Sequence, residues 1–231
     1  MITENFLNLV DILEIKETDD YINMIDIGVK DDESFLLSSG IVSHNSASGS
    51  VKQARDSETE GVYALKGKIK NAKRLSDLTE NKEIMEIMSI LGIDPENNKT
   101  PSYKKIIIAT DSDEDGSHIA SLIINLFHKW FPDVVKEGRL FKLITPLVTC
   151  DEGKNRKYFQ TLLEFEEYSK TKKLSNINYL KGLGSLSLDD WKWVMTNKTL
   201  FQITEDRSSN KFLEIAFGES ADKRKSWLSS S

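Results

Sequence analysis

Two short stretches of this chain carry side chains that could do chemistry. In His44-Asn45-Ser46, the Asn side-chain amide can attack its own backbone carbonyl and release the polypeptide after it, and the Ser hydroxyl directly next in the chain can accept an acyl group. A surface turn is the commoner home of such a tripeptide, so the residues before it decide its meaning. In Asp111-Ser112-Asp113-Glu114-Asp115-Gly116, alternate acids in an extended turn let two or three carboxylates converge on one point. Two such charges about 4 Å apart repel by roughly 4 kcal/mol at an effective dielectric of about 20, so a cation or a proton must offset them. Hard oxygen ligands favour Mg2+, which keeps several waters and bridges to phosphate.

The elements that must hold these groups are readable from period and punctuation. Ahead of His44, three short apolar or β-branched runs (residues 24–29, 35–37 and 40–42) are separated by Asp, Ser and Gly, the pattern of small strands with tight turns. Ahead of Asp111, the run Ile106-Ile107-Ile108-Ala109-Thr110 predicts a strand buried on both faces, as in a parallel sheet. After the acids, Ile119, Leu122, Ile123, Leu126, Phe127 and Trp130 form a stripe at helical spacing that stops before Pro132. The acids therefore sit on a loop between a strand and a helix, where open α/β sheets place their ligands. A calcium loop competes, because Asp-x-Asp-x-Asp-Gly fits its first six positions, but its twelfth should be a bidentate Glu and here is Leu122. A solvated acidic turn is the bland alternative.

Composition is permissive. The chain has 231 residues, 39% of them hydrophobic, enough for a small fragment and one domain of ordinary size. The single Cys150 excludes an internal disulfide and suits a reducing cytosol, which makes a bacterial host cytoplasm the expected location. No apolar run is long enough to span a bilayer, so no membrane partner is expected. Charge is uneven: residues 1–45 hold two Lys and ten Asp or Glu, a net −8, whereas residues 46–231 carry +2. An acidic fragment of this size buries too little to fold alone and is expected to fold onto a basic partner, unless it is merely a solvated acidic subdomain.

Residues 26–46 resemble, without a gap, the C-terminal fragment of a split intein. The resemblance implies that Asn45 cyclises to a succinimide, that His44 polarises the scissile carbonyl or protonates the leaving amine, and that Ser46 is the nucleophile. Asp26 falls where the family often keeps an acid that orients or deprotonates that nucleophile. A departure is Glu33, where the family frequently has His. Only 44 residues precede Asn45, with no upstream half carrying its own nucleophile and base, so splicing in trans with a separate N-terminal intein and extein chain is expected.

Residues 46–231 resemble the C-terminal part of type II DNA topoisomerase subunits of the gyrase B type, closest to the phage form. The acidic loop with Ser117-His118 is similar to their Toprim domain. Ser46-Ala47, Lys52-Gln53-Ala54-Arg55, residues 65–71, Tyr179-Leu180-Lys181-Gly182-Leu183-Gly184, Phe217-Gly218, Arg224 and Trp227-Leu228 occur in the family's order. The expected architecture is a β-rich fragment of the intein (Hint) fold over residues 1–45, an α/β Rossmann-like Toprim domain with a parallel sheet over 46–150, and a gyrase B-like tail over 151–231. In that tail residues 164–167 and 188–195 read as helical and 177–180 as a strand.

The resemblance implies a metal site of Asp111 and Asp113, with Asp115 supporting its geometry, and two Mg2+ ions once a fourth acid is present. The family motif is Glu-Gly-Asp-Ser-Ala, and here Asn45 stands directly before Ser46-Ala47. The glutamate is missing, and its place is three residues before Ser46. The partner extein is therefore expected to end in Glu-Gly-Asp. A gyrase A-like subunit carrying the nucleophilic Tyr, double-stranded DNA, and ATP bound by another chain or the upstream extein complete the implied assembly. Lys66, Lys68 and Lys181 are candidates for DNA-backbone contact. Lys66 and Lys68 divide evenly between that role and a solvated face, and the turn at Lys181-Gly182 divides between that role and packing near the metal loop. Lys70, Lys73 and Arg74 read as a solvated face, His118 as a cap or core residue or a phosphate contact, and His128 as an ordinary helical residue. A nuclease or primase with the same acidic loop, and a non-catalytic scaffold with a decayed splice border, are the rival functions.

Overall fold

The computed structural model describes residues 40–44, 48–97 and 101–229. Asp26, Asn45 and Ser46 lie outside the described residues, as do the strands expected over 24–29 and 35–37. The elements up to the acidic loop are β1 (Gly40–His44), α1 (Ser48–Ala54), β2 (Gly61–Leu65), α2 (Leu75–Glu80), α3 (Lys82–Leu91) and β3 (Ile106–Ala109). Beyond it come α4 (Glu114–Trp130), α5 (Pro132–Lys136), β4 (Leu140–Ile144), β5 (Val148–Glu152), β6 (Asn155–Phe159), α6 (Leu162–Ser169), β7 (Ser175–Tyr179), α7 (Leu188–Thr196), β8 (Thr199–Gln202), α8 (Ser209–Phe217) and α9 (Ala221–Ser229).

The larger sheet runs β2-β1-β3-β4-β8, with the first four strands parallel and β8 antiparallel to β4. Period two sorts the side chains of its strands into two layers. Ile106 and Ile108 of β3, with Tyr63, Leu65 and Leu140, pack under α3 and α4 through Ile84, Ile87, Ile123 and Phe127. Ile107 and Ala109, with Val62 and Leu143, face the opposite way onto Val51 of α1 and Trp191 and Val194 of α7. A strand covered by helices on both faces can be apolar throughout, which is why its sequence shows no alternation.

Helix α4 follows its sequence stripe: Ile119, Leu122, Ile123, Leu126 and Phe127 are buried, Asp113 caps the start, and Pro132 stands at the first position of α5. Trp130 Nε1 donates to the Ala72 carbonyl at 2.8 Å. The calcium-loop reading is excluded here, because a strand precedes the acids and the helix already begins at Glu114.

Two features depart from the expected layout. The run over residues 40–42, read as the last strand of an intein fragment, is part of β1, which lies within the larger sheet between β2 and β3. The chain also leaves that sheet after Ile144, builds a second antiparallel sheet in the order β6-β5-β7, and returns through β8. Val148, Cys150, Phe159 and Phe165 form the core of the second sheet with α6. The expected parallel sheet thus carries one antiparallel edge strand, with Leu200 of β8 packed in the second layer beside Leu143.

Candidate functional site

The acidic loop leaves β3 at the C-terminal edge of the parallel strands and enters α4, so its backbone is fixed at both ends. Gly116 makes this tight junction possible: a Cβ there would stand 2.2 Å from the Asp111 carbonyl oxygen. Asp113 is committed through one oxygen, Oδ1 accepting from Gly116 N–H at 2.7 Å as the helix cap. Asp111, partly buried, is held through one oxygen as well. Its Oδ1 accepts from the backbone N–H of Leu183 at 2.6 Å.

That second bond crosses the chain, and local packing explains it. The Leu183 side chain is 1% exposed in the layer under α1 and α7, which fixes its amide in place. Gly182 leaves room for the carboxylate, since a Cβ there would lie 2.7 Å from Asp111 Oδ1. Of the two roles open to the turn at Lys181-Gly182, packing beside the acidic loop is the one Gly182 fills. Lys181 itself is exposed, and among the described residues no ion pair engages it.

Asp115 does not join the other two acids. It turns to Lys68 on the segment after β2, at 2.6 Å, and the Lys68 hydrogen bond and charge hold its carboxyl below the ordinary range. Among the described residues no group of three His, Cys, Asp or Glu stands ready to hold an ion. The physical reason is rotation on a helix: Asp113 caps α4 while Asp115 is already in its first turn, facing the basic segment.

What remains fits one kind of ion. Asp111 and Asp113 each commit Oδ1 to a backbone amide and keep Oδ2, and both stand at an accessible edge. Two monodentate carboxylates suit a cation that retains most of its waters, as Mg2+ does, and not one that needs an all-protein cage.

The basic segment divides as its neighbours dictate. Lys70 pairs with Asp77 at 2.7 Å and Glu80 at 2.9 Å, and with the Arg74 backbone N–H it holds Asp77 down at about 2. Arg74 meets Glu219 at 3.2 Å, and the Lys73 backbone serves Asp77 and Lys129. His118 is exposed just past the first turn of α4, near the Asp115 charge. His128 bridges Asn210 at 2.8 Å and Glu205 at 3.3 Å, tying α4 to α8 and the loop before it.

One cluster carries almost no sequence signal. Asp190, 2% exposed, receives Arg156 Nε at 2.8 Å and the Ser187 hydroxyl at 2.7 Å, while Arg156 also reaches Thr149 Oγ1 at 2.9 Å. Tyr158 stacks on Trp193 with ring centroids 4.0 Å apart. These contacts pin the second sheet to α7 and so to the turn that holds Asp111. The pairs are far apart in sequence, and only the capping spacing of Ser187 with Asp190 could have been noticed.

Comparison with known proteins agrees with this fold. Residues 40–143 match the Toprim domain, beginning at the first residue of β1, and residues 143–231 match the C-terminal associated domain of TOPRIM. The chain is 36% identical over 187 residues to DNA topoisomerase 2-beta of Gallus gallus, covering 73% of this chain and 11% of that protein. It is 30% identical over 201 residues to the B-type subunit of DNA topoisomerase 4 of Mycoplasma pneumoniae, covering 81% and 32%. The crystal structure of the Plasmodium falciparum topoisomerase II DNA-binding, cleavage and re-ligation domain superposes with a TM-score of 0.70 at 30% identity, covering 82% of this chain and 28% of that one. The chain thus spans between 11% and 32% of the length of these curated relatives.

Proposed function

We propose a function from one premise: this chain belongs to the Toprim family, its Toprim domain and C-terminal associated domain being homologous to the corresponding parts of type II DNA topoisomerases. It is a precursor of the part of a gyrase B-like subunit that takes part in DNA cleavage and religation, and it becomes competent by splicing in trans. The observation that carries the topoisomerase reading is the 2.6 Å bond from Leu183 N–H to Asp111 Oδ1, which brings the acidic loop and the Lys-Gly-Leu-Gly turn to one place.

In the spliced product, Asp111 and the acid three residues before Ser46 would hold one Mg2+, and Asp111 with Asp113 would hold a second. When bound, such an ion would supply electrostatic stabilisation of charge developing on the scissile phosphate and the departing 3′-oxygen. Leu183 N–H and the Gly116 amide orient the two carboxylates. Lys68 and Lys181 contact the duplex backbone, with Asp115 holding Lys68 when DNA is absent. The attacking Tyr belongs to a gyrase A-like subunit, and ATP is bound by another chain or by the upstream extein.

The splicing step uses Asn45 for cyclisation, Ser46 as acyl acceptor, and His44 and Asp26 as proton handlers. Its support is the border tripeptide with the strand pattern before it, and the −8 charge of residues 1–45, which would speed encounter with a basic intein half. Mixing the chain with an N-terminal intein and extein chain should give a ligated product on a gel that Asn45→Ala abolishes. Asp111→Ala in the ligated complex should abolish supercoil relaxation and leave ligation intact. Ligation that survives Asn45→Ala, or relaxation that survives Asp111→Ala, removes the corresponding half of the reading.

A further inference from the structure

The larger sheet takes one of its inner strands from residues on the upstream side of the proposed junction. β1 pairs in parallel with β2 from Gly40↔Gly61 to His44↔Leu65, and with β3 from Ile41↔Ile107 to Ser43↔Ala109. All four residues of β3 are buried, as are Val62, Tyr63 and Leu65 of β2. Without a strand between them, two rows of backbone N–H and C=O groups would lose their partners within a layer covered by helices.

The way out of that gap is fixed. Ser48 opens α1, and Val51 in its next turn is fully buried against the sheet. Whatever polypeptide precedes Ser46 must therefore pass through the gap that Gly40–His44 now fills before it reaches α1. Strands in a sheet lie about 4.8 Å apart, so the gap between β2 and β3 holds one strand and no second beside it. A segment newly joined to Ser46 must displace β1 to enter.

We infer that Gly40–His44 is a stand-in strand, filling before ligation the gap between β2 and β3 that the end of the partner extein fills afterwards, so that the unspliced chain closes its sheet but brings Ser43 to the register position meant for an acid. The identity of the later occupant rests on the splicing reading; the placement of β1 does not. Residue 43 aligns with Ala109, two residues before Asp111, and parallel strands β1 and β3 end at the same edge. Serine brings no charge to that strand end, whereas glutamate would. Because one strand cannot sit in this sheet and in a splicing site together, ligation also requires β1 to leave the sheet.

The test uses the full chain alone. Ser43→Glu should bind Mn2+, titrated by calorimetry, about tenfold more tightly than the wild type, because added ligand charge tightens a hard-cation site. Combining it with Asp111→Asn should remove the gain. Val42→Pro, which takes a donor out of an inner strand, should speed amide hydrogen exchange at residues 61–65 and 106–109 about tenfold while residues 148–159 keep their rates. Equal Mn2+ affinity for Ser43→Glu and the wild type, or unchanged exchange in Val42→Pro, overturns the inference. Neither readout needs the partner, so a failure to see ligated product would count against splicing alone.

Discussion

The Leu183 amide and the Asp111 carboxylate, 72 residues apart, meet at 2.6 Å across a glycine that has no room for a side chain. Gly182 has extended backbone, with φ −168, so any residue could adopt its conformation. Contact with Asp111 alone excludes one.

Gly182→Ala should therefore keep the fold, with a loss of about 1–3 kcal/mol typical of overpacking, and should weaken Mn2+ binding by displacing Asp111. Gly116→Ala should cost more, since its Cβ meets backbone, 2.2 Å from the Asp111 carbonyl oxygen, and backbone cannot yield as a side chain can. Thermal melts of both variants, with Mn2+ titrations of Gly182→Ala, check the order.

Lys68 and Asp115 form an exposed pair at 2.6 Å, a geometry of small consequence for stability. Asp115→Asn should leave the melting temperature unchanged and tighten duplex binding by releasing Lys68. Lys68→Ala should weaken binding about equally for all sequences and reduce the slope of log affinity against log salt by about 1. Fluorescence anisotropy on a short duplex at several salt concentrations reads both.

Burial alone raises the pKa of Asp190, but hydrogen bonds from Arg156 and from the Ser187 hydroxyl and N–H outweigh it and hold it below the ordinary 3.8. Asp190→Ala should cost about 2–3 kcal/mol, below the cost of breaking a wholly buried pair because Arg156 reaches water. A carboxyl with a depressed native pKa contributes fully above its unfolded value and loses that contribution as pH falls through the native one. The gap between wild type and variant in urea melts should be full at pH 7 and close as pH drops below 3.8.

Cys150 is fully buried, and burial with the neighbouring Asp151 charge pushes its thiol up. The native chain should react with a thiol reagent at pH 8 on the order of 100-fold more slowly than the unfolded chain, which should titrate at full rate.

Local pattern made much of this molecule readable. The change from a run of Ile to a helical stripe around Asp111 located a strand, a loop and a helix, and the structure has β3 and α4 there. Residues 164–167, 177–180 and 188–195 fall on α6, on β7 and its end, and on α7. Pairing between distant segments was not readable. Nothing in the run Gly40–His44 says that its neighbours are β2 and β3, because a short β-branched strand fits either of two sheets equally well. The turn of Asp115 toward Lys68 and the reach of Arg156 to Asp190 depend on where helices and hairpins come to rest, which no local spacing encodes.

The return of Thr199–Gln202 to the edge of β4 makes the two matched domains one mechanical piece. A break near residue 146 would leave Leu140–Ile144 with a bare flank and strip α7 from the layer that steadies Leu183. Gene shuffling that divided the halves would scatter the turn that holds Asp111 along with a fold, so they are expected to be inherited jointly.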